Sequence, residues 1–228
     1  MAIRCIAFDL DDTLWDCQPV LARAEQHLYQ WLHQHYPAIT ARHASLPELV
    51  ASRVQFMRQH PELHHDLGLL RIRWLREVAL GSGYDPAISE LAFQEFWRVR
   101  NQVEFFPGVL EQLQALSARY WLGVITNGNA DVHHIGIGHL FRFTLSSAEA
   151  GVAKPHAAIF QQALAKVGVE AHEMLYVGDD PEKDIIGASQ AGLRTIWYNP
   201  NRLGRAAGVN PDAVMTNFAE MPSLLQLL

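Results

Sequence analysis

An α/β fold, a parallel-sheet core interrupted by a helical bundle, is predicted by three observations. Short apolar runs that end in polar residues recur along the chain and alternate with helix-like segments, and such alternation favours a parallel sheet covered by helices on both faces. Strand-like runs disappear between residues 16 and 104, where helical periodicity takes over. The 228 residues are also enough for one large domain or two small ones. We place the core at 1–15 and 105–228 and the helical insertion at 16–104.

The first strand is Ile3 to Asp9, nearly continuous in apolar residues as a buried parallel strand must be. Four segments able to carry an apolar helical face follow: Val20 to Tyr36, Pro47 to Gln59, Leu67 to Leu80 and Ile88 to Arg100. Pro37, Pro61 and Gly81-Ser82-Gly83 separate them as breakers. Strands resume at Trp121 to Asn127, Phe143 to Leu145, Met174 to Gly178, Thr195 to Tyr198 and Ala213 to Met215, with a helix-like run at Ala157 to Val167. Pro200 to Pro211, with Gly204 and Gly208, reads as a mobile surface connection bearing Arg202 and Arg205.

Chemistry concentrates where these strands end. Phe8-Asp9-Leu10-Asp11-Asp12-Thr13 closes the first strand with carboxylates at i and i+2, which face one substrate if the extended backbone continues that far. The competing interpretation is a solvated turn or helix cap, which Asp and Thr also favour. Three further segments weigh against it. Leu122 to Asn129 ends a strand in the hydroxyl of Thr126 and a turn whose amides suit phosphate oxygens. Gly151-Val152-Ala153-Lys154-Pro155 puts a cation in a loop, where it neutralises phosphate charge. Leu175 to Ile185 ends a strand in Asp179, Asp180 and Asp184, hard oxygen ligands of the kind magnesium takes.

In that order, Asp-Leu-Asp-Asp-Thr, Thr-Asn-Gly, Lys-Pro and Gly-Asp-Asp with Asp184 resemble the four motifs of the haloacid dehalogenase (HAD) superfamily of hydrolases. Phe106-Pro107-Gly108-Val109, Ile159-Phe160 and Gly187-Ala188 extend the similarity. The resemblance implies a Rossmann-like core (the HAD fold) with a helical cap of the type inserted after the first motif. It implies that Asp9 is the nucleophile, forming an aspartyl phosphate, and that Asp11 is the general acid and base. Thr126, the Asn127 amide and Lys154 would hold the phosphoryl group. The magnesium ion would be held by Asp9, the Asp11 carbonyl and Asp179. Asp184 would orient Lys154 and metal-bound water, and Asp180 is an outer candidate. His65-Asp66 with Arg71 and Arg73, together with Thr126-Asn127-Gly128-Asn129, resembles bacterial flavin mononucleotide phosphatases more narrowly. An aromatic platform for such a ring is available from Trp15, Trp74 and Trp97, against core packing for each.

Dehalogenase members of the family lack the second aspartate of the first motif, so Asp11 with Asp179 and Asp184 favours phosphatase over carbon–halogen chemistry. A phosphomutase and a non-catalytic binding module are the remaining alternatives. Arg71, Arg73, Arg98 and Arg100 would reach a leaving group or form a solvated helical face. His60, His64, His65, His133, His134 and His139 lie outside the acidic motifs and are not assigned a second metal.

With 18% charged residues and a net charge of −6, the chain offers no basic field for nucleic acid or an anionic membrane. A small phosphorylated metabolite is the expected partner. No apolar stretch approaches a membrane span, and the start runs straight into the first strand without a secretory segment. Cys5 and Cys17 are too few for a disulfide framework; a reduced, cytoplasmic protein is expected, with Cys5 in the core. An apolar helix face serves a neighbour or a second subunit equally, which leaves the oligomeric state open.

Overall fold

The computed structural model describes residues 2–204 and 208–228; Arg205 lies outside them. The chain divides into two compact units, residues 1–16, 104–128 and 132–228 in one and residues 17–103 with 129–131 in the other.

The first unit begins with β1 (Cys5–Phe8). The second unit follows as α1 (Cys17–His35), α2 (Pro37–Arg42), α3 (Leu46–Gln59), α4 (Leu67–Gly81) and α5 (Ile88–Arg100). Pro37 does not simply break the helical run: it occupies the first turn of α2, where a missing amide proton costs nothing. Ser45 and Asp66 cap α3 and α4 by accepting the Glu48 and Leu69 amides, and Gly83 turns the chain after α4 with φ of 80°. The core of this unit joins Ala24, Leu28 and Leu32 of α1, Leu49 and Phe56 of α3, Trp74 and Val78 of α4 and Phe96 of α5.

The first unit resumes with α6 (Val109–Ser117), β2 (Trp121–Thr126), α7 (Val132–Ile135), β3 (Phe143–Ser146), α8 (Ser147–Ala150) and α9 (Ala157–Val167). It ends with β4 (Met174–Gly178), α10 (Gly187–Gln190), β5 (Arg194–Tyr198), β6 (Ala213–Met215) and α11 (Met221–Leu227). A π-helical segment, Pro181–Ile186, precedes α10. The six strands form one sheet in the order β3-β2-β1-β4-β5-β6, and every pairing is parallel. Cys5 and Ala7 point to the face that packs on Ile159, Phe160 and Ala163 of α9, as the two-residue strand period requires.

Strand order reverses between β1 and β4, the position at which open α/β sheets hold ligands at their carboxyl ends. Phe8 of β1 stands level with Val124 of β2 and Val177 of β4, so the first, second and fourth motifs emerge side by side. Cys5 is fully buried, and neither Cys5 nor Cys17 is in a disulfide. Among the described residues, no helix is long and apolar enough to cross a membrane.

Candidate active site

Asp9 follows β1 directly, and its amide donates to the Val177 carbonyl at 2.9 Å, so the carboxylate is carried on sheet geometry. Lys154, 4% exposed, reaches it from the loop before α9. The ammonium donates to Asp9 Oδ1 at 2.8 Å, Asp184 Oδ1 at 2.7 Å and Tyr176 Oη at 2.8 Å. An ammonium has three protons, and each has an acceptor. Tyr176, on β4, gives its own proton to the Ile125 carbonyl of β2 at 2.9 Å. Asp184 Oδ2 accepts the Asp180 amide at 3.0 Å. β4 ends in glycine for a steric reason: a Cβ on Gly178 would stand 2.4 Å from the Asp184 carboxyl.

Asp179 Oδ1 accepts from the Thr13 hydroxyl at 3.2 Å, and the Asp179 carbonyl accepts from Trp197 Nε1 at 2.8 Å. Carboxylate oxygens of Asp9, Asp179 and Asp184 all lie within 4.8 Å of one another. Three carboxyl groups thus crowd around the Lys154 ammonium. Burial pushes Asp9 up to about 8, with Lys154 opposing and Asp184 and Asp11 adding to the rise. Burial, Asp184 and Asp12 push Asp179 up to about 7. For Lys154, burial acts downward, but Asp184 and Asp9 outweigh it and hold the ammonium above its ordinary value. Crowded, under-neutralised hard oxygens fit a divalent cation such as magnesium. Both Asp184 oxygens already hold protein donors, whereas Asp9 and Asp179 are the groups whose ionisation burial and crowding oppose.

Asp11 is held by a residue that sequence reasoning left among the aromatic platforms. Trp15 Nε1 donates to Asp11 Oδ1 at 2.9 Å, and Trp15 is fully buried. Asp12 takes a left-handed backbone, φ of 61°, which Asp tolerates; the turn lets its amide reach the Trp15 carbonyl at 2.8 Å. Thr126, at the end of β2, accepts the Gly128 amide at 3.0 Å, which leaves the hydroxyl proton to donate. Asn127 clamps the lysine loop with its side chain: Oδ1 accepts the Lys154 amide at 2.8 Å and Nδ2 donates to the Lys154 carbonyl at 3.0 Å. Asp180 accepts the Glu182 and Lys183 amides and pairs with the Lys183 ammonium at 2.6 Å; it caps the turn after β4.

Thr13, Tyr176 and Trp197 were not assigned from sequence. Thr13 carried a signal, since it closes the first motif. Tyr176 and Trp197 read as ordinary strand residues, and only the packed sheet shows what their polar atoms reach.

In the helical unit, the solvated-face interpretation of the four arginines holds for Arg73 and Arg98 and fails for Arg71 and Arg100, both buried. Residues two apart on a helix point in nearly opposite directions, so each pair splits into one inward and one outward side chain. Arg71 donates to both Glu25 oxygens at 2.8 and 3.2 Å and lies over the Phe96 ring at 3.5 Å. Arg53 joins Glu25 at 3.0 Å. These four residues, with Met57 and Leu70, line a cavity of about 330 Å³. Asp66 is spent capping α4. Trp74 is core and donates to Ser52; Trp97 donates to the Asn129 carbonyl. His60 pairs with Glu62, and His64 contacts the Met57 carbonyl.

Residues 3–192 match the family model described as haloacid dehalogenase-like hydrolase. The 5-amino-6-(5-phospho-D-ribitylamino)uracil phosphatase YigB of Escherichia coli (strain K12) is 31% identical over 202 residues, covering 87% of this chain and 84% of its own. A phosphoserine phosphatase of Thermus thermophilus is 30% identical over 68% of this chain and 64% of its own. Among solved structures, a 2-haloacid dehalogenase from Pseudomonas syringae pv. Tomato DC3000 superposes with a TM-score of 0.92 at 38% identity, covering 99% of both chains.

Proposed function

The chain belongs to the haloacid dehalogenase-like hydrolases, and we propose that it is a magnesium-dependent phosphatase acting through an Asp9 phosphoenzyme. The observation that carries this reading is Lys154, buried between Asp9 and Asp184 with Asp179 alongside. A carboxylate so placed is fixed to attack phosphorus, and a cation would relieve the burial and crowding that oppose ionisation of Asp9 and Asp179.

Asp9 attacks the ester phosphorus; the bond from phosphorus to the leaving oxygen breaks, and Asp11 gives that oxygen a proton. Asp11 then removes a proton from water, which attacks the same phosphorus and frees Asp9 and inorganic phosphate. Thr126 donates to a phosphoryl oxygen. Lys154, with its three protons engaged on protein acceptors, acts on the equatorial oxygens as a fixed positive charge. Asp9, the Asp11 carbonyl and Asp179 would hold magnesium, which supplies charge neutralisation for nucleophile and phosphate together. Asp184 keeps Lys154 in place.

Within this activity we favour a ribityl 5-phosphate ester of a nitrogen heterocycle. The named activity of YigB is support for the uracil derivative, and flavin mononucleotide shares the same phosphate arm. The helical unit has a cavity of its own that pairs the Phe96 and Met57 walls with Arg53, Arg71 and Glu25. We place the activity in the cytoplasm, on a small metabolite, without nucleic acid or membrane.

A second reading, hydrolysis of a carbon–halogen bond, is favoured by the dehalogenase neighbour. Asp11 held on Trp15 counts against it, since a departing halide needs no proton. The test is a panel of 5-amino-6-(5-phospho-D-ribitylamino)uracil, flavin mononucleotide, glycerol phosphate and 2-chloropropionate, with magnesium or EDTA, and Asp9→Asn as the blank. Magnesium-dependent phosphate release on one ester supports the proposal. Chloride release without magnesium establishes the second reading, and an isomeric phosphate ester in place of free phosphate establishes a mutase.

A further inference from the structure

We infer that Tyr176 is a positioning residue that fixes the Lys154 ammonium at the phosphoryl site by supplying an acceptor without charge, an inference that rests on the phosphatase reading. Two of the three ammonium protons go to carboxyl groups, on Asp9 at 2.8 Å and Asp184 at 2.7 Å, and the third goes to Tyr176 Oη at 2.8 Å. An ammonium only donates, so the phenol must accept. Its own proton goes to the Ile125 carbonyl at 2.9 Å or to Asp184 Oδ1 at 3.2 Å, and either choice leaves a lone pair for Lys154. Another carboxylate in its place would hold the ammonium too, but would cancel more of the positive charge that acts on a phosphoryl group. The phenol satisfies the donor and leaves the charge standing.

The phenol is itself fixed. Tyr176 is fully buried, and β1 runs between its own strand β4 and the β2 carbonyl it bonds. The side chain therefore crosses β1, on the face it shares with Ala7 and Ile125. Ala7 stands level with Tyr176, and its short side chain leaves the crossing open. Phe160 of α9 meets the ring edge-on, with centroids 5.4 Å apart and planes at 85°. Lys154 Nζ is 5.4 Å from the ring centroid but 2.8 Å from the hydroxyl, so the ammonium sits beyond the hydroxyl and not over the ring. Without the hydroxyl, no ring face takes its place, and one buried ammonium proton loses its acceptor.

Tyr176→Phe keeps the ring and removes the acceptor. Lys154 acts on the phosphoryl group and not on what departs, so kcat should fall by one shared factor, about ten- to a hundredfold, on flavin mononucleotide and on glycerol phosphate. KM should stay within about threefold, because the loss falls on the transition state. Orthovanadate, which adopts the geometry of that state, should inhibit the variant more weakly by about the factor lost from kcat/KM. Added to Lys154→Met, the same change should lower the residual rate by less than about threefold. Rates are compared well below the melting temperature of every variant, and Tyr176→Leu replaces Tyr176→Phe if the latter does not fold. A variant that melts earlier but turns over like wild type would assign Tyr176 to packing and overturn the inference. A loss on one ester alone, or the full loss repeated on Lys154→Met, would overturn it too. A wild type inert on every ester overturns the phosphatase reading, and this inference with it.

Discussion

Replacing Lys154 by Met leaves Asp9 and Asp184 buried beside Asp179 with no ammonium, although the apolar stem is roughly kept. The ion pairs it removes are 2.8 and 2.7 Å long, and the lysine side chain is 2% exposed, so solvent does little to screen the change. Removing one partner of a buried ion pair costs about 3–5 kcal/mol. At about 2–4 °C per kcal/mol for a chain of this size, the melting temperature near neutral pH should fall by about 6–20 °C. The loss should also depend on pH. The folded-state value of Asp9 is raised to about 8, above its unfolded value, so its protonated form favours the folded state and that contribution fades as pH rises through about 8. Lys154 opposes this rise, so Lys154→Met pushes Asp9 further toward its neutral form. Thermal melting followed by circular dichroism in EDTA should therefore show a larger deficit at about pH 9 than at about pH 6, because wild-type Asp9 and Asp179 give up their protons above about 8 and about 7 while the variant, without the ammonium, still resists their ionisation. A variant that melts like wild type, or one with the same deficit at both pH values, would refute this account of Lys154 as the neutralising charge.

Gly178→Ala would force a Cβ to 2.4 Å from the Asp184 carboxyl; a stability loss of about 1–3 kcal/mol from overpacking is expected in urea titrations, with a weakened Lys154 pair. If Asp9 and Asp179 hold magnesium as proposed, protons compete with it, since burial pushes the two carboxyls up to about 8 and about 7. Calorimetric magnesium titration should accordingly show affinity rising with pH through that window, and a pH-independent affinity would contradict the ligand set. Cys5 is fully buried and burial pushes its thiol up to about 12, so mass spectrometry should find it unmodified by iodoacetamide in the folded protein and alkylated after denaturation.

The alternation of apolar runs and helical segments was legible because a parallel sheet buried on both faces leaves little freedom in strand composition. Predicted Met174 to Gly178 and Ala213 to Met215 coincide with β4 and β6. Helix starts were less legible: Pro37 served as a first-turn residue, a use identical in sequence to a break. At the site, Asp9, Lys154, Asp179 and Asp184 carry charge and stand in short motifs, and the structure brings them together. What escaped were partners recruited from ordinary positions. Trp15 reaches Asp11 only because Asp12 turns left-handed. Buried Arg71 differs from exposed Arg73 only in helical phase and in finding Glu25.

The clamp that Asn127 places on the Lys154 loop makes one piece of two segments that leave the sheet by different routes. On the proposed function, the Thr126 hydroxyl and the Lys154 ammonium are the two arms for phosphate, and their segments are already joined before any ligand arrives, so little ordering entropy remains to be lost on binding. Such a cradle works as a fixed gauge for one chemical group, indifferent to what that group is attached to. Variation that retunes the molecule toward another ester has no reason to touch this gauge, while a change at Asn127 would loosen both arms together and weaken every substrate alike.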